Sequence, residues 1–121
     1  MIETTASATR LFVYGTLMRD QAAASLMTDG VFVESAVTEP RFSLVDLGEY
    51  PALADFGNQS VRGEVYLVNT ALLLRLDEYE GDQYTRQSIN LKATKPASAY
   101  VWRVANFSGM PLIGSGDWRK R

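Results

Sequence analysis

The stretch LDEYEGDQYTR, Leu76 to Arg86, sets Asp77, Glu78 and Glu80 close together and follows them with Gly81, Tyr84 and Arg86. A carboxylate exchanges protons readily near neutral pH only when its surroundings raise its pKa, so the chemistry depends on which of the three faces inward. The run ALLLRLDEYE, Ala71 to Glu80, has the apolar spacing of a helix. At about 100° per residue, with Leu73 at the origin, Leu76, Leu72 and Tyr79 follow at about −60°, −100° and −120° and mark the buried face. Glu80 falls at about −20°, inside the apolar arc, whereas Glu78 falls at about 140°, among the outward positions with Leu74 and Arg75. Asp77, at about 40°, lies on the edge. Glu80 is thus the carboxylate that would lose hydration, and at the C-terminal end of a helix it also meets the negative end of the macrodipole. Both effects raise its pKa and suit it to general acid and base chemistry. Two blander readings stand beside this one: the last turn frays and Glu80 turns to water, or Glu80 pairs with Arg86. Asp77 can cap a neighbouring loop or pair with Arg86, and Arg86 can instead anchor a substrate carboxylate.

A second candidate is FVYGTLM, Phe12 to Met18, a strand-like run that breaks at Gly15. A glycine there permits a sharp turn whose successive backbone N–H groups converge on an anion such as a carboxylate. The alternative is an ordinary strand end.

The residue inventory limits the chemistry further. The 121 residues contain neither cysteine nor histidine. Disulfides, thiolate nucleophiles, histidine-based triads and zinc sites built on Cys or His are excluded. A formal net charge of −2 gives no general electrostatic reason to expect nucleic acid. The N-terminal MIETTASATR lacks a signal-peptide apolar core, and no apolar run approaches the roughly 20 residues of a membrane span. A soluble, cytoplasmic protein with a small weakly polar or zwitterionic ligand is expected, the missing cysteines being compatible with a reducing compartment.

The elements that must position these residues follow from local patterning. Strands are expected over Arg10–Tyr14, Val31–Val37, Arg41–Leu47, Val61–Val68, Thr85–Ala93 and Ser98–Phe107, each rich in β-branched or aromatic residues or alternating in polarity. A short helix is expected over Asp20–Met27 with Asp20 as N-cap, and a second over Ala71–Glu80 with Thr70 as N-cap and Gly81 just past its end. Gly48–Leu53 reads as a loop and FGNQS, Phe56 to Ser60, as a turn. Strands with two short helical inserts argue for an α+β fold, a mixed or antiparallel sheet of about six or seven strands curled toward a barrel. One domain over 1–121 is expected, with 1–9 and the basic end 119–121 flexible.

In order along the chain, YGTLM (Tyr14 to Met18), YPAL (Tyr50 to Leu53), VRGEVY (Val61 to Tyr66), LDEYEG with YTR (Leu76 to Arg86) and GDW (Gly116 to Trp118) resemble the γ-glutamylcyclotransferase-like family, which includes γ-glutamylamine cyclotransferases and plant avirulence-induced proteins. The resemblance implies a small mixed barrel with flanking helices and a pocket at the YGTLM loop. It implies that Glu80 is the catalytic acid and base, and that the amides of Gly15, Thr16 and Leu17 hold the glutamyl group. Tyr14, Tyr50 and Tyr84 are then candidate pocket walls. The implied reaction closes a γ-glutamyl group on itself to 5-oxoproline with release of the attached amine, and needs neither metal nor cofactor. Competing readings are a binding module of the same fold that holds a carboxylate-bearing metabolite without turnover, and an interaction protein that uses Trp102, Trp118 or exposed strand edges. Neither the particular γ-glutamyl compound nor the oligomeric state is readable from the residues.

Overall fold

The computed structural model describes residues 8–103 and 109–121. Seven strands and one α-helix form the α+β arrangement: β1 Thr9–Val13, β2 Val31–Val37, β3 Phe42–Asp46, β4 Pro51–Gln59, β5 Arg62–Val68, α1 Thr70–Glu80, β6 Tyr84–Ile89 and β7 Ala97–Trp102. A five-stranded sheet has the order β2-β5-β1-β7-β6, and β3 and β4 pair as a separate two-stranded sheet. β1 lies at the centre of the larger sheet, antiparallel to β5 with Leu11 opposite Tyr66, and parallel to β7 with Leu11 opposite Ser98. This central position accounts for the burial of Leu11, Phe12 and Val13 in the consecutive apolar run of β1.

The expected small mixed barrel is not what the pairing gives. The edge strands β2 and β6 are joined just past their ends by a bridge between Thr38 and Leu91 and by the Lys92 N–H donating to the Val37 carbonyl at 2.8 Å. Among the described residues no continuous ladder extends that contact along the two edges, so the sheet is not closed into a barrel.

Three local readings change. Gly48–Leu53 and FGNQS, expected as loop and turn, largely belong to β4. Its first four residues are buried without alternation, which hides a strand from a period-two pattern, and Pro51 occupies the first strand position, where the missing N–H is tolerated. The register against β3 jumps from Ser43–Ala54 to Phe42–Gln59, so residues 55–58 form an insertion in the ladder. Gly57 turns it at φ 106, where an added Cβ would strike the Ser43 hydroxyl. The helix expected over Asp20–Met27 contracts to a 3-10 turn at Ala24–Met27. Asp20 stands at φ 66 and cannot cap it, and only Met27 of the turn is buried, so no apolar stripe holds a longer helix. For α1, Asn69 rather than Thr70 is the cap, its Oδ1 accepting from the Leu72 N–H at 2.8 Å. The last expected strand starts as β7; its residues 104–107 lie outside the described residues.

Leu72, Leu73 and Leu76 of α1 join Phe12, Phe42, Leu44, Leu53, Val65, Val101 and Trp118 in one apolar cluster. The chain's end locks onto the same body. Leu112 bridges Val45 of β3, and Trp118 is 2% exposed. Residues 119–121, expected as a solvated end, are exposed but engaged: Arg119 donates to the Arg19 carbonyl at 2.7 Å, and the Arg121 guanidinium lies 3.7 Å from the Trp118 ring centroid. No helix among the described residues is long and apolar enough to cross a membrane.

Candidate active site

The residues that the resemblance implies for the site line one cleft of about 190 Å³: Tyr14, Gly15, Thr16, Leu17, Tyr50, Glu80 and Tyr84, together with Pro51, Tyr79, Gln83 and Tyr100 and the end of β1; Asp77 and Arg86 do not line it. The cleft opens where β1 ends, between the start of β4, the C-terminal turn of α1 and the start of β6.

The floor is built by the turn after β1. The Met18 N–H donates to the Gly15 carbonyl at 3.1 Å and the Ala23 N–H to the Thr16 carbonyl at 2.8 Å, so the carbonyls of this segment are used within the protein. The N–H groups of Gly15, Thr16 and Leu17 have no acceptor among the described residues. Three consecutive donors on a cleft wall form a site for a carboxylate or a developing oxyanion. Gly15 is required by close approach: a Cβ there would lie 2.6 Å from Pro51 Cγ.

Behind this loop lies a device that the sequence reading passed over. Glu64 of β5, in the VRGEVY run, is 2% exposed and accepts from the Arg19 N–H at 2.9 Å, from Arg19 Nε at 3.0 Å and from the Arg119 guanidinium at 3.1 Å. Burial alone would raise its pKa, but these donors outweigh burial and hold it below the usual carboxylate range. Glu64 thus fixes Arg19, the residue that follows YGTLM, and ties the chain's end to it. A charged residue flanked by Gly63 and Val65 in a strand was the available signal.

Glu80, three residues after Asp77 at the end of α1, faces the cleft. Burial pushes its carboxyl from 4.5 up to about 7, and among the described residues it has neither a cationic partner nor a hydrogen-bond donor. Arg86, one possible partner in the sequence, is committed elsewhere: its Nε and a terminal nitrogen donate to Asp77 at 2.8 and 3.1 Å. This bidentate pair holds the Asp77 carboxyl below its ordinary value. Glu78 is exposed, as the helical wheel requires. Tyr79, assigned to the buried arc, is instead 50% exposed, because only Leu72, Leu73 and Leu76 pack inward and the last turn of α1 borders the cleft mouth.

The tyrosines divide into walls and rim. Tyr14 is buried, and its hydroxyl donates to the Tyr100 carbonyl at 2.6 Å while accepting from the Leu53 N–H at 3.2 Å, which ties β1, β7 and β4 together. The Tyr84 hydroxyl donates to the Pro51 carbonyl at 2.8 Å, and its ring meets Trp102 edge-on at 5.1 Å. The Tyr100 hydroxyl donates to Asp77 at 2.7 Å. Burial first, and the nearby Glu80 charge among the further causes, raise all three phenols above their ordinary value, so they remain protonated donors. Tyr50 and Tyr79, 43% and 50% exposed, form the aromatic rim. Tyr100 and Gln83 were missed by the sequence reading. Tyr100 is the cross-strand partner of Arg86, and only the sheet register reveals it.

No lining residue of the cleft is a lysine or arginine. No group of three or more His, Cys, Asp or Glu side chains among the described residues could hold a metal ion.

The family described as γ-glutamyl cyclotransferase, AIG2-like, matches residues 11–120. The chain is 36% identical over 115 residues to the γ-glutamylcyclotransferase family protein YtfP of Escherichia coli K12, covering 93% of this chain and 97% of that protein. It is 32% identical over 112 residues to the γ-glutamylaminecyclotransferase A of Danio rerio, covering 80% of this chain and 70% of that protein. A solved structure of a protein specific to uropathogenic E. coli superposes with a TM-score of 0.85 at 24% identity, covering 93% of this chain and 94% of that one, a likeness of fold.

Proposed function

The chain belongs to the γ-glutamyl cyclotransferase, AIG2-like family, a family of cyclotransferases, and on that premise we propose that it converts a small γ-glutamyl compound to 5-oxoproline with Glu80 as proton carrier. The observation that carries this reading is the pairing, in one cleft, of an unpartnered carboxyl near neutral pKa with three unclaimed backbone N–H groups. The amides of Gly15, Thr16 and Leu17 receive the anionic end of the glutamyl group, a task that falls to the backbone because no cation lines the cleft. The walls formed by Tyr14 and Tyr84 keep the glutamyl chain folded, which brings its α-nitrogen against its own γ-carbonyl.

In the reaction the ionised Glu80 takes a proton from the α-ammonium and frees its lone pair. The nitrogen attacks the γ-carbonyl carbon, a new C–N bond closes the five-membered ring, and the carbonyl oxygen becomes an oxyanion stabilised by backbone donors. As the oxyanion collapses, the bond to the leaving nitrogen breaks and Glu80 returns its proton there. The attacking nitrogen sheds one more proton on becoming the lactam N–H, and the released amine takes up one to leave as an ammonium. No redox step or activated donor is needed. The leaving amine departs past the rim of Tyr50 and Tyr79. Its identity, among γ-glutamyl amino acids and γ-glutamylamines, is a matter for assay, and a cytoplasmic setting is part of the proposal.

The test is 5-oxoproline release from a panel of γ-glutamyl amino acids and γ-glutamylamines, run beside Glu80→Gln. Product from a panel member, with the rate reduced roughly 10²–10⁴-fold by the substitution while 5-oxoproline still binds, is the expected result. A folded protein that binds panel members and turns over none would overturn the reading in favour of a binding module.

A further inference from the structure

Asp77 and Glu80 stand three residues apart on α1, a spacing that stacks side chains on one helix face about 5–6 Å apart at Cβ. Tyr84 and Arg86 stand two apart on β6 and therefore point to the same side of that strand. Tyr84 lines the cleft with Glu80, and Arg86 meets Asp77, so the two pairs lie at successive levels of one contact between α1 and β6. Of the two carboxylates at these levels of α1, the Arg86 guanidinium takes Asp77 with a bidentate fork, Nε at 2.8 Å and a terminal nitrogen at 3.1 Å, and Tyr100 fixes the same carboxylate from β7 at 2.7 Å. Both side chains of the ion pair are 33% exposed, so it is held by its fork geometry and not by burial.

We propose that Asp77 is a positioning residue that captures Arg86 one helical turn from the cleft and so keeps the Glu80 carboxyl without a cationic partner. A proton carrier must pass its proton on, and an arginine paired with Glu80 would lock it as a carboxylate of low basicity. The other ionisable side chains that line the cleft with Glu80 are Tyr14 just past β1, Tyr84 of β6 and Tyr100 of β7, whose phenols burial keeps protonated, with Tyr50 and Tyr79 at the rim; none is a cation, so Arg86 is the cation whose placement matters. The catalytic significance rests on the Glu80 role proposed above, but the contact itself can be tested without turnover.

The experiment follows the Glu80 carboxyl carbon by NMR across pH 4 to 9 in the substrate-free protein, in wild type, Asp77→Asn and the double variant Asp77→Asn/Arg86→Gln. Asn retains an oxygen that accepts from Tyr100 and loses the charge that holds Arg86. The expected result is a Glu80 midpoint lowered by about one pH unit or more in Asp77→Asn and restored in the double variant. The low-pH limb of 5-oxoproline formation should move down by the same interval, with KM little changed. A clamp that only stabilises the helix end would reduce rate or stability without moving either midpoint, and an unmoved Glu80 titration in folded Asp77→Asn overturns the proposal. Should Asp77→Asn lose its near-UV circular dichroism, Asp77→Ser carries the same expectation and the same refutation. A shifted titration in a protein that turns over no γ-glutamyl compound would sink the cyclotransferase reading and leave the Asp77–Arg86 device standing.

Discussion

If Glu80 is held near neutral pKa by burial, replacing it with glutamine should stabilise the protein at alkaline pH. In the unfolded chain a glutamate titrates near its ordinary 4.5, whereas burial in the cleft pushes Glu80 to about 7. Below 4.5 the carboxyl is protonated in both states and costs the fold little. As pH rises from there through 7 the unfolded state releases its proton more readily than the folded one, so stability falls across that window and the loss is complete above it. At about 1.4 kcal/mol per unit of pKa, the gap between 4.5 and about 7 is worth about 3 kcal/mol. This is an upper value, since a carboxylate on a cleft wall recovers some hydration. Glu80→Gln cannot ionise and escapes the loss. Urea denaturation followed by the fluorescence of Trp102 and Trp118, at steps from pH 5 to pH 8.5, should show the variant gaining on wild type by up to about 3 kcal/mol as pH rises. Curves that stay parallel over the whole range would refute the assignment of a raised pKa to Glu80, whatever the activity of the variant.

Two other substitutions test the scaffold. Tyr14→Phe removes the hydroxyl that serves both the Tyr100 carbonyl and the Leu53 N–H, leaving two buried backbone groups unpaired; thermal or urea unfolding should register a loss of about 1–3 kcal/mol. Glu64→Gln removes the charge shared by Arg19 and Arg119. Because both arginines reach solvent, the cost should be nearer about 1–2 kcal/mol than the 3–5 typical of a fully buried pair, and KM for a turned-over γ-glutamyl compound should rise more than kcat falls, since the amide loop is loosened while Glu80 is untouched. The Glu64 contribution has the opposite pH sense to that of Glu80: its depressed pKa gives stability above the usual carboxylate range that is lost as pH falls, so unfolding of wild type and Glu64→Gln should converge in acid.

The candidate site was legible where its signal is local. The helical period placed Glu80 among apolar neighbours, and the structure leaves that carboxyl in the cleft because a period of 3.6 and a C-terminal glycine cap are properties of one short run of consecutive residues. Gly15 was legible for a related reason, as a break in a strand, although its need for glycine comes from Pro51 of a distant strand and not from its own dihedral angle. What the sequence hid is non-local. β4 was obscured because a strand buried on both faces at one end, and interrupted by an insertion turning on Gly57, has neither alternation nor a continuous apolar run. The barrel was overdrawn because strand count does not determine closure, which depends on whether the edges β2 and β6 pair along their length or at one bridge.

The Arg86 alternatives make the boundary between the two kinds of signal explicit. Along the chain Arg86 follows both Asp77 and Glu80, and spacing alone assigned it to neither. Once Tyr84 is known to enter the cleft, strand alternation brings Arg86 to the same side, and helical periodicity then offers it two carboxylates at successive levels. The choice falls to Tyr100, which sits opposite Arg86 across the β6–β7 ladder and directs its hydroxyl to Asp77, fixing that carboxylate for the guanidinium fork. If Glu80 is the proton carrier proposed above, its freedom from a cation depends also on Tyr100, a residue on a third element, contributed by a strand that the sequence reading treated only as part of the sheet.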